Sequence, residues 1–273
     1  MEKRTMTIVA ILAVAVVVIA GCAMALNNNN GSSAEKITIG GSTTVAPIML
    51  AIQEQYENEL GLSLSITATG SGDGASGALN GTIDLGMMSR EPKSSEAGLT
   101  TYVIALDGVV VAVDKDAGVS NLTLDQINKI YSGEYTNWDQ VGGNNLVIKP
   151  MVREANSGTR SCFEEFVGLA SVDMSKYATY GSNGEMVTAI NNVSGAIGYI
   201  GLGYVLELTN GMTVSVNGID ATKETITDGT YPISRSLILV TKGAATGAVL
   251  KLIEFVQSAK GQKVVEECGY ISI

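Results

Sequence analysis

The sequence predicts an α/β protein of two lobes joined by two crossing segments, with a ligand cleft between the lobes. Three observations lead there. From Lys36 onward, short strand-like runs alternate with helical ones, the pattern of layered α/β folds. Two apolar segments, residues 101–113 (TYVIALDGVVVAV) and 231–241 (YPISRSLILVT), are suited to carry the chain from one lobe to the other, and the first reads as two strands interrupted at Asp107-Gly108. The length of 273 residues allows one or two domains of ~100–200 residues with a sizeable core.

Taken in order, residues 37–39 form a strand feeding a helix over 48–60. Residues 64–67 form a strand feeding a short helix after Gly74, and a further strand covers 83–87. Beyond the first crossing, residues 124–131, 146–152, 160–168, 186–191 and 196–200 are again mixed helix and strand. After the second crossing, residues 248–267 read as helix, with Val249, Leu252, Ile253 and Val256 forming an apolar face at i, i+3, i+4 and i+7. Residues 36–107 and 236–273 then make lobe 1, and 108–235 make lobe 2.

The first 26 residues are of a different kind. Lys3 and Arg4 precede an uncharged run from Met6 through Ile19-Ala20-Gly21-Cys22, an export signal. Small residues just before a cysteine resemble the lipobox of bacterial-type lipoproteins, which implies cleavage and lipid attachment at Cys22. The alternative is an uncleaved span, since 6–26 approaches the ~20 apolar residues of a membrane helix. Either reading places the body outside, anchored to the outer face of the cytoplasmic membrane. Residues 27–35, containing NNNNGSS, have the composition of a flexible tether. Cys162 and Cys268 remain, as one disulfide or as two buried thiols.

Composition removes several function classes. Without a single histidine, Ser-His-Asp and Cys-His catalysis and His-ligated metal sites are excluded. A net charge of -10 argues against nucleic-acid binding and against a polybasic membrane surface. No metal and no cofactor is expected, and the chain is expected to be a monomer.

The arginines of the body, Arg90, Arg153, Arg160 and Arg235, all lie near Ser, Thr or Gly, and guanidinium is a fixed fork suited to an oxyanion. Three segments place hydroxyls at the start of a helix: 40–44 (GGSTT), 70–74 (GSGDG) and 156–159 (NSGT). There, free backbone N–H groups and the helix dipole favour a negative charge, although Ser and Thr are also ordinary N-caps. A competing motif, Gly72-x-Gly74-x-x-Gly77, spells a dinucleotide fingerprint and suggests an exported dinucleotide enzyme. A surface sensing or adhesion module is a further alternative.

The segments GSTTVAP (41–47), GSGDG (70–74), DLGMMSR (84–90), ALDG (105–108), NW (137–138), Arg153 with SGTR (157–160), GAIGY (195–199) and YPISR (231–235) together resemble the phosphate-binding proteins of the Pst-type ABC importer. The resemblance runs in order from Ile37 to Ile273. It implies a type II periplasmic-binding-protein fold, a single tetrahedral oxyanion held between the lobes, no enzymatic chemistry, and delivery to the permease subunits of an importer. It also implies a ligand set, namely Ser42, Thr43, Thr44, Ser71, Ser89, Arg90, Arg153, Ser157, Gly158 and Thr159.

The sequence departs from the family at Ser89, where better-known members carry an aspartate that accepts the proton phosphate has and sulfate lacks. The preference for phosphate over sulfate or molybdate therefore needs another acceptor, for which Asp107, Asp73 and Glu154 are the candidates.

Overall fold

A computed structural model describes residues 34–273; the expected signal segment, Cys22 and nearly all of the tether lie outside the described residues. The chain begins with β1 (Glu35–Gly41), α1 (Ala46–Leu60), β2 (Leu62–Ala68), α2 (Ser71–Asn80) and β3 (Leu85–Met88). Next come β4 (Leu99–Asp114), β5 (Asn121–Leu122), α3 (Leu124–Ser132), β6 (Lys149–Arg153), α4 (Gly158–Val167), β7 (Ala178–Tyr180), α5 (Asn183–Asn192) and β8 (Ala196–Gly201). The chain closes with β9 (Gly211–Thr213), β10 (Ser215–Val216), α6 (Lys223–Thr227), β11 (Ser234–Lys242), α7 (Gly247–Gln257) and α8 (Ala259–Glu267). Along the sheet the strand order is β2-β1-β3-β11-β4-β8-β6-β7, with β9 also on β4.

β4 organises the molecule. Residues 99–108 pair antiparallel with β11, and from Val109 the same strand pairs with β8 instead. The interruption expected at Asp107-Gly108 is absent. What changes there is the partner, not the backbone, so one 16-residue strand passes through both halves. Its unbroken apolar run follows from burial on both faces: Val109, Val111 and Val113 enter one core, while Val110 and Ala112 enter another.

Two large cores sit on either side of that change of partner. The first joins β1 to β3 with α1, α7 and α8 through Ile37, Leu64, Leu85, Ile48, Leu252 and Val264. The second gathers Val109, Trp138, Val152, Phe163, Tyr199 and Ile233. Each fully buried Ile, Leu, Val or Phe contributes ~1.5–3 kcal/mol. Trp138 donates its Nε1–H to the Gly195 carbonyl at 3.2 Å, so its polar edge is satisfied inside the core.

The helix expected over 248–267 is two helices. Ser258 ends α7 and N-caps α8, accepting from the Gly261 N–H at 3.3 Å; a Ser that caps offers the backbone an alternative to a continuous helix. The fingerprint glycines lie inside α2 rather than in a loop before it. At Gly74 a Cβ would come within 2.6 Å of the Met87 carbonyl oxygen and 3.1 Å of Gly41 Cα, so the glycines serve a close approach of α2 to β1 and β3. The dinucleotide reading has no loop to stand on.

Cys162 and Cys268 are separate free thiols, and burial pushes both up to about 11. At pH 8 about one thiol in a thousand is then ionised, and the thiolate is the reactive form. Iodoacetamide is expected to label neither cysteine appreciably in the folded chain and both after unfolding, as read by peptide mass mapping. Rapid labelling of Cys162 in the folded protein would contradict the burial.

Candidate anion-binding site

Four helices of eight or more residues begin at one place between the two cores. The loop from β1 into α1 brings Ser42, Thr43 and Thr44, and α2 opens with Ser71. From the second core come Ser157, which N-caps α4, with Gly158 and Thr159 at its first two positions, and Asn183 at the first position of α5. The first turns of α-helices have backbone N–H groups without an intrahelical acceptor, so the region is electropositive without needing many charged residues. Ser42, Thr44, Ser71, Ser89, Arg153, Ser157, Thr159 and Asn183 are at most 2% exposed.

The hydroxyls touch one another. Ser42 Oγ donates to Ser89 Oγ at 3.0 Å, Ser71 Oγ and Ser89 Oγ lie 3.2 Å apart, and the Ser89 N–H donates to Ser71 Oγ at 3.0 Å. Across the two cores, Thr44 Oγ1 and Thr159 Oγ1 are 3.1 Å apart. Gly158 presses directly on this group: a Cβ there would overlap Ser71 Oγ and lie 2.6 Å from Ser89 Oγ. Only a residue without a side chain permits that approach.

Arg153 ends β6, its N–H donating to the Tyr199 hydroxyl at 3.1 Å, while Tyr199 stacks on Phe163 of α4 with ring centroids 4.0 Å apart. Strand and helix are thereby locked together. Nε donates to Glu154 and to the Tyr180 carbonyl, and Nη2 donates to Thr43 Oγ1 at 3.2 Å, to Glu154 Oε1 at 2.9 Å and to the Gly181 carbonyl at 3.1 Å. Nη1 is buried and has no hydrogen-bond partner among the described residues. A charged donor left in that condition costs more than the ~1–3 kcal/mol of a neutral one, so an added acceptor at this nitrogen would be stabilising.

A second buried arginine stands behind the hydroxyls. Arg235 Nε and Nη2 hold Asp107 Oδ2 at 2.8 and 2.6 Å, and Nη1 donates to the Ser89 carbonyl at 2.9 Å. The two residues face each other in the β4–β11 register. Burial pushes the Asp107 carboxyl above its usual value, against the pull of Arg235 and of the Leu202 N–H on Oδ1. Arg153 with Glu154 and Arg235 with Asp107 are two neutral pairs, so the cluster presents dipoles and one guanidinium edge without a partner among the described residues, rather than a net cationic patch.

Nine of the ten expected residues converge here. Arg90 does not bring its guanidinium to the cluster: Glu96 takes both ends of the fork at 2.7 Å, and the Glu91 carbonyl takes a further N–H at 2.9 Å. Nor is Asp107 free as an acceptor, because Arg235 and Leu202 occupy both oxygens. Asp73 is exposed and receives the Asn156 amide at 2.9 Å, and Glu154 is committed to Arg153.

Three contributors were not legible. Asn183 lies between the cores, the Tyr204 hydroxyl donates to the Thr43 carbonyl at 2.9 Å, and the Tyr270 hydroxyl donates to the Thr44 carbonyl at 2.8 Å. For Asn183 a local signal existed: Ser182 followed three residues later by Glu185 is a helix-start pattern. No such signal marks the tyrosines.

Comparison with known proteins finds relatives of the chain. The family model described as a PBP superfamily domain matches residues 28–260. The chain is 31% identical over 250 residues to the phosphate-binding protein PstS of Borreliella burgdorferi, covering 87% of this chain and 90% of that one. It is 28% identical over 243 residues to the protein of the same name from Bacillus subtilis, covering 87% and 80%. Among solved structures it resembles a phosphate ABC transporter substrate-binding protein with bound phosphate from Clostridium perfringens, at a TM-score of 0.83 and 34% identity over 88% of this chain and all of that one. An ABC-type phosphate transport receptor from Vibrio cholerae aligns at a TM-score of 0.73 and 33% identity, over 87% of this chain.

Proposed function

Because the chain belongs to the PBP superfamily, among the phosphate-binding substrate proteins of ABC phosphate transporters, we propose that this cluster captures inorganic phosphate between two lobes and releases it unchanged to the permease subunits of an importer. The observation that carries the assignment to this site is Arg153 Nη1, a buried charged donor without a partner among the described residues, at the meeting point of four helix starts. The lobes are residues 36–107 with 236–273, and residues 108–235, a division supported by the two cores and by the change of partner along β4. The ligand set is Ser42, Thr43, Thr44, Ser71, Ser89, Arg153, Ser157, Gly158 and Thr159.

Thr44–Thr159 and Thr43–Arg153 bonds already span the lobes, and the phosphate oxygens take over as the common partner of those groups when the anion is bound. Each hydrogen bond to a charged group contributes ~1.5–3 kcal/mol. Half a dozen of them, less desolvation and closure, give a micromolar or tighter complex, about -8 kcal/mol. Ser89 Oγ accepts from Ser42 and shares a reversible bond with Ser71, so it serves as the acceptor for phosphate's proton in place of a carboxylate. A hydroxyl also donates, so sulfate is rejected less sharply than by an aspartate.

The chain acts outside the cytoplasmic membrane as a monomer held by a lipid at Cys22, a reading supported by the Ile19–Cys22 sequence. Among the described residues no helix is long and apolar enough to cross a membrane. Isothermal calorimetry with phosphate, sulfate, molybdate and arsenate tests the assignment. A single phosphate site at micromolar affinity or better is expected, with weaker but measurable sulfate competition. Absence of phosphate binding would refute it.

A further inference from the structure

Asn183 carries an inference about how the site selects its anion, and it rests on the reading of the cluster as a phosphate site. Its side chain is fully buried and bonded at both ends. The Gly201 N–H, which can only donate, lies 3.2 Å from Oδ1. That contact fixes the amide orientation, so Nδ2 must face Thr44 Oγ1 at 2.9 Å and Thr43 Oγ1 at 3.4 Å.

A hydroxyl oxygen has two lone pairs and one proton. At Thr43 the lone pairs are taken by Asn183 Nδ2 and by Arg153 Nη2 at 3.2 Å. At Thr44 they are taken by Asn183 Nδ2 and by Arg235 Nη2 at 3.4 Å. All of these partners are donors and never acceptors. Neither threonine has acceptor capacity left, so each can offer only its own O–H.

We infer that Asn183 is a positioning residue that fixes the polarity of Thr43 and Thr44, making both obligate donors, and that this pair reads a fully ionised oxygen on the anion. Asn183 reaches Thr43 and Thr44 from the opposite lobe, so the polarity is set as the lobes come together. Any proton on the ligand must then face away from this pair, on the side of Ser71 and Ser89.

Asn183→Asp tests this with one change of atom type. Oδ1 still accepts from Gly201, whereas the atom facing the threonines becomes an acceptor and draws their protons toward itself. Their lone pairs then turn to the ligand, which repels a bare sulfate oxygen but still accepts from a P–OH. Phosphate affinity would be measured by calorimetry and sulfate by displacement of phosphate, in full-length wild type, Asn183→Asp and Asn183→Ala.

The expected result is a loss for both anions in Asn183→Asp, about tenfold greater for sulfate than for phosphate, the worth of one charge-assisted hydrogen bond. A smaller shift in the same direction is expected for Asn183→Ala, which frees the lone pairs without reversing them. With the titrations run well above the second ionisation of phosphate, both anions are divalent, so the added charge of the aspartate cancels in the ratio. Equal losses, or none, would overturn the inference, and Asn183→Ala decides alone if Asn183→Asp does not fold. A wild type that binds phosphate with an unmoved ratio in the variants sinks only the polarity assignment, whereas a wild type that binds no phosphate sinks the site itself.

Discussion

Arg153→Ala is expected to weaken phosphate binding by ~2–5 kcal/mol, about thirtyfold to several thousandfold, the cost of truncating one partner of a buried charge pair. The guanidinium is at 1% exposure and is the meeting point of Thr43, Glu154 and two backbone carbonyls, with only Nη1 left over. Glu154 retains partial access to water, so it can rehydrate when its partner is removed and the body should stay folded. Arg153→Lys keeps a point charge but not the fork, and its affinity should fall between wild type and alanine. Calorimetry on the three proteins, with thermal unfolding as the control for folding, checks the sequence. Unchanged phosphate affinity in Arg153→Ala would mean that another group is the principal charged ligand.

The second large effect is on stability. Asp107→Ala leaves Arg235 charged and buried opposite nothing, and breaking a buried pair in this way costs ~3–5 kcal/mol. For a body of this size, that is a fall in melting temperature of roughly 6–20 °C. The same change releases the tie from Arg235 to the Ser89 carbonyl and to Thr44, so phosphate affinity should decline with it. Replacing both partners by apolar residues of similar volume should restore most of the melting temperature, because the stranded charge is gone. It should not restore affinity, because the Ser89 carbonyl still lacks its donor. Differential scanning calorimetry without phosphate measures the first effect and isothermal titration the second; a shift below about 2 °C in Asp107→Ala would show that Arg235 finds water or another acceptor.

The pairing of these arginines explains where sequence reasoning stopped. Arg90 beside Ser89 looked like a ligand, yet Glu96 six residues later captures both ends of its fork. Arg235 looked like one more arginine near a serine, yet it is held by a carboxylate 128 residues away in sequence. Asp107 was weighed as a proton acceptor for the same reason: a lone carboxylate in a sequence carries no mark of what neutralises it. In the sequence the first crossing reads as two strands interrupted at Asp107-Gly108. Here Asp107 is buried by Arg235, and a Cβ on Gly108 would lie 2.7 Å from Ile226 Cδ1, so both residues serve packing within one strand.

What the sequence by itself determined is what is local. Alternating strand and helix runs and the hydroxyl-bearing segments at the starts of α1, α2 and α4 depend on propensity, capping and spacing within a few residues, and they are found close to where the pattern puts them, apart from the unbroken β4, the break at Ser258 and the earlier start of α2. What only the tertiary structure decided is which polar groups meet. Four helix starts separated by up to about 140 residues converge on one cluster, Asn183 reaches across to Thr43 and Thr44, and each carboxylate finds its arginine. The physical reason is that a buried polar atom must be satisfied wherever the fold happens to place a partner, and that partner is set by the packing of two cores rather than by neighbours along the chain.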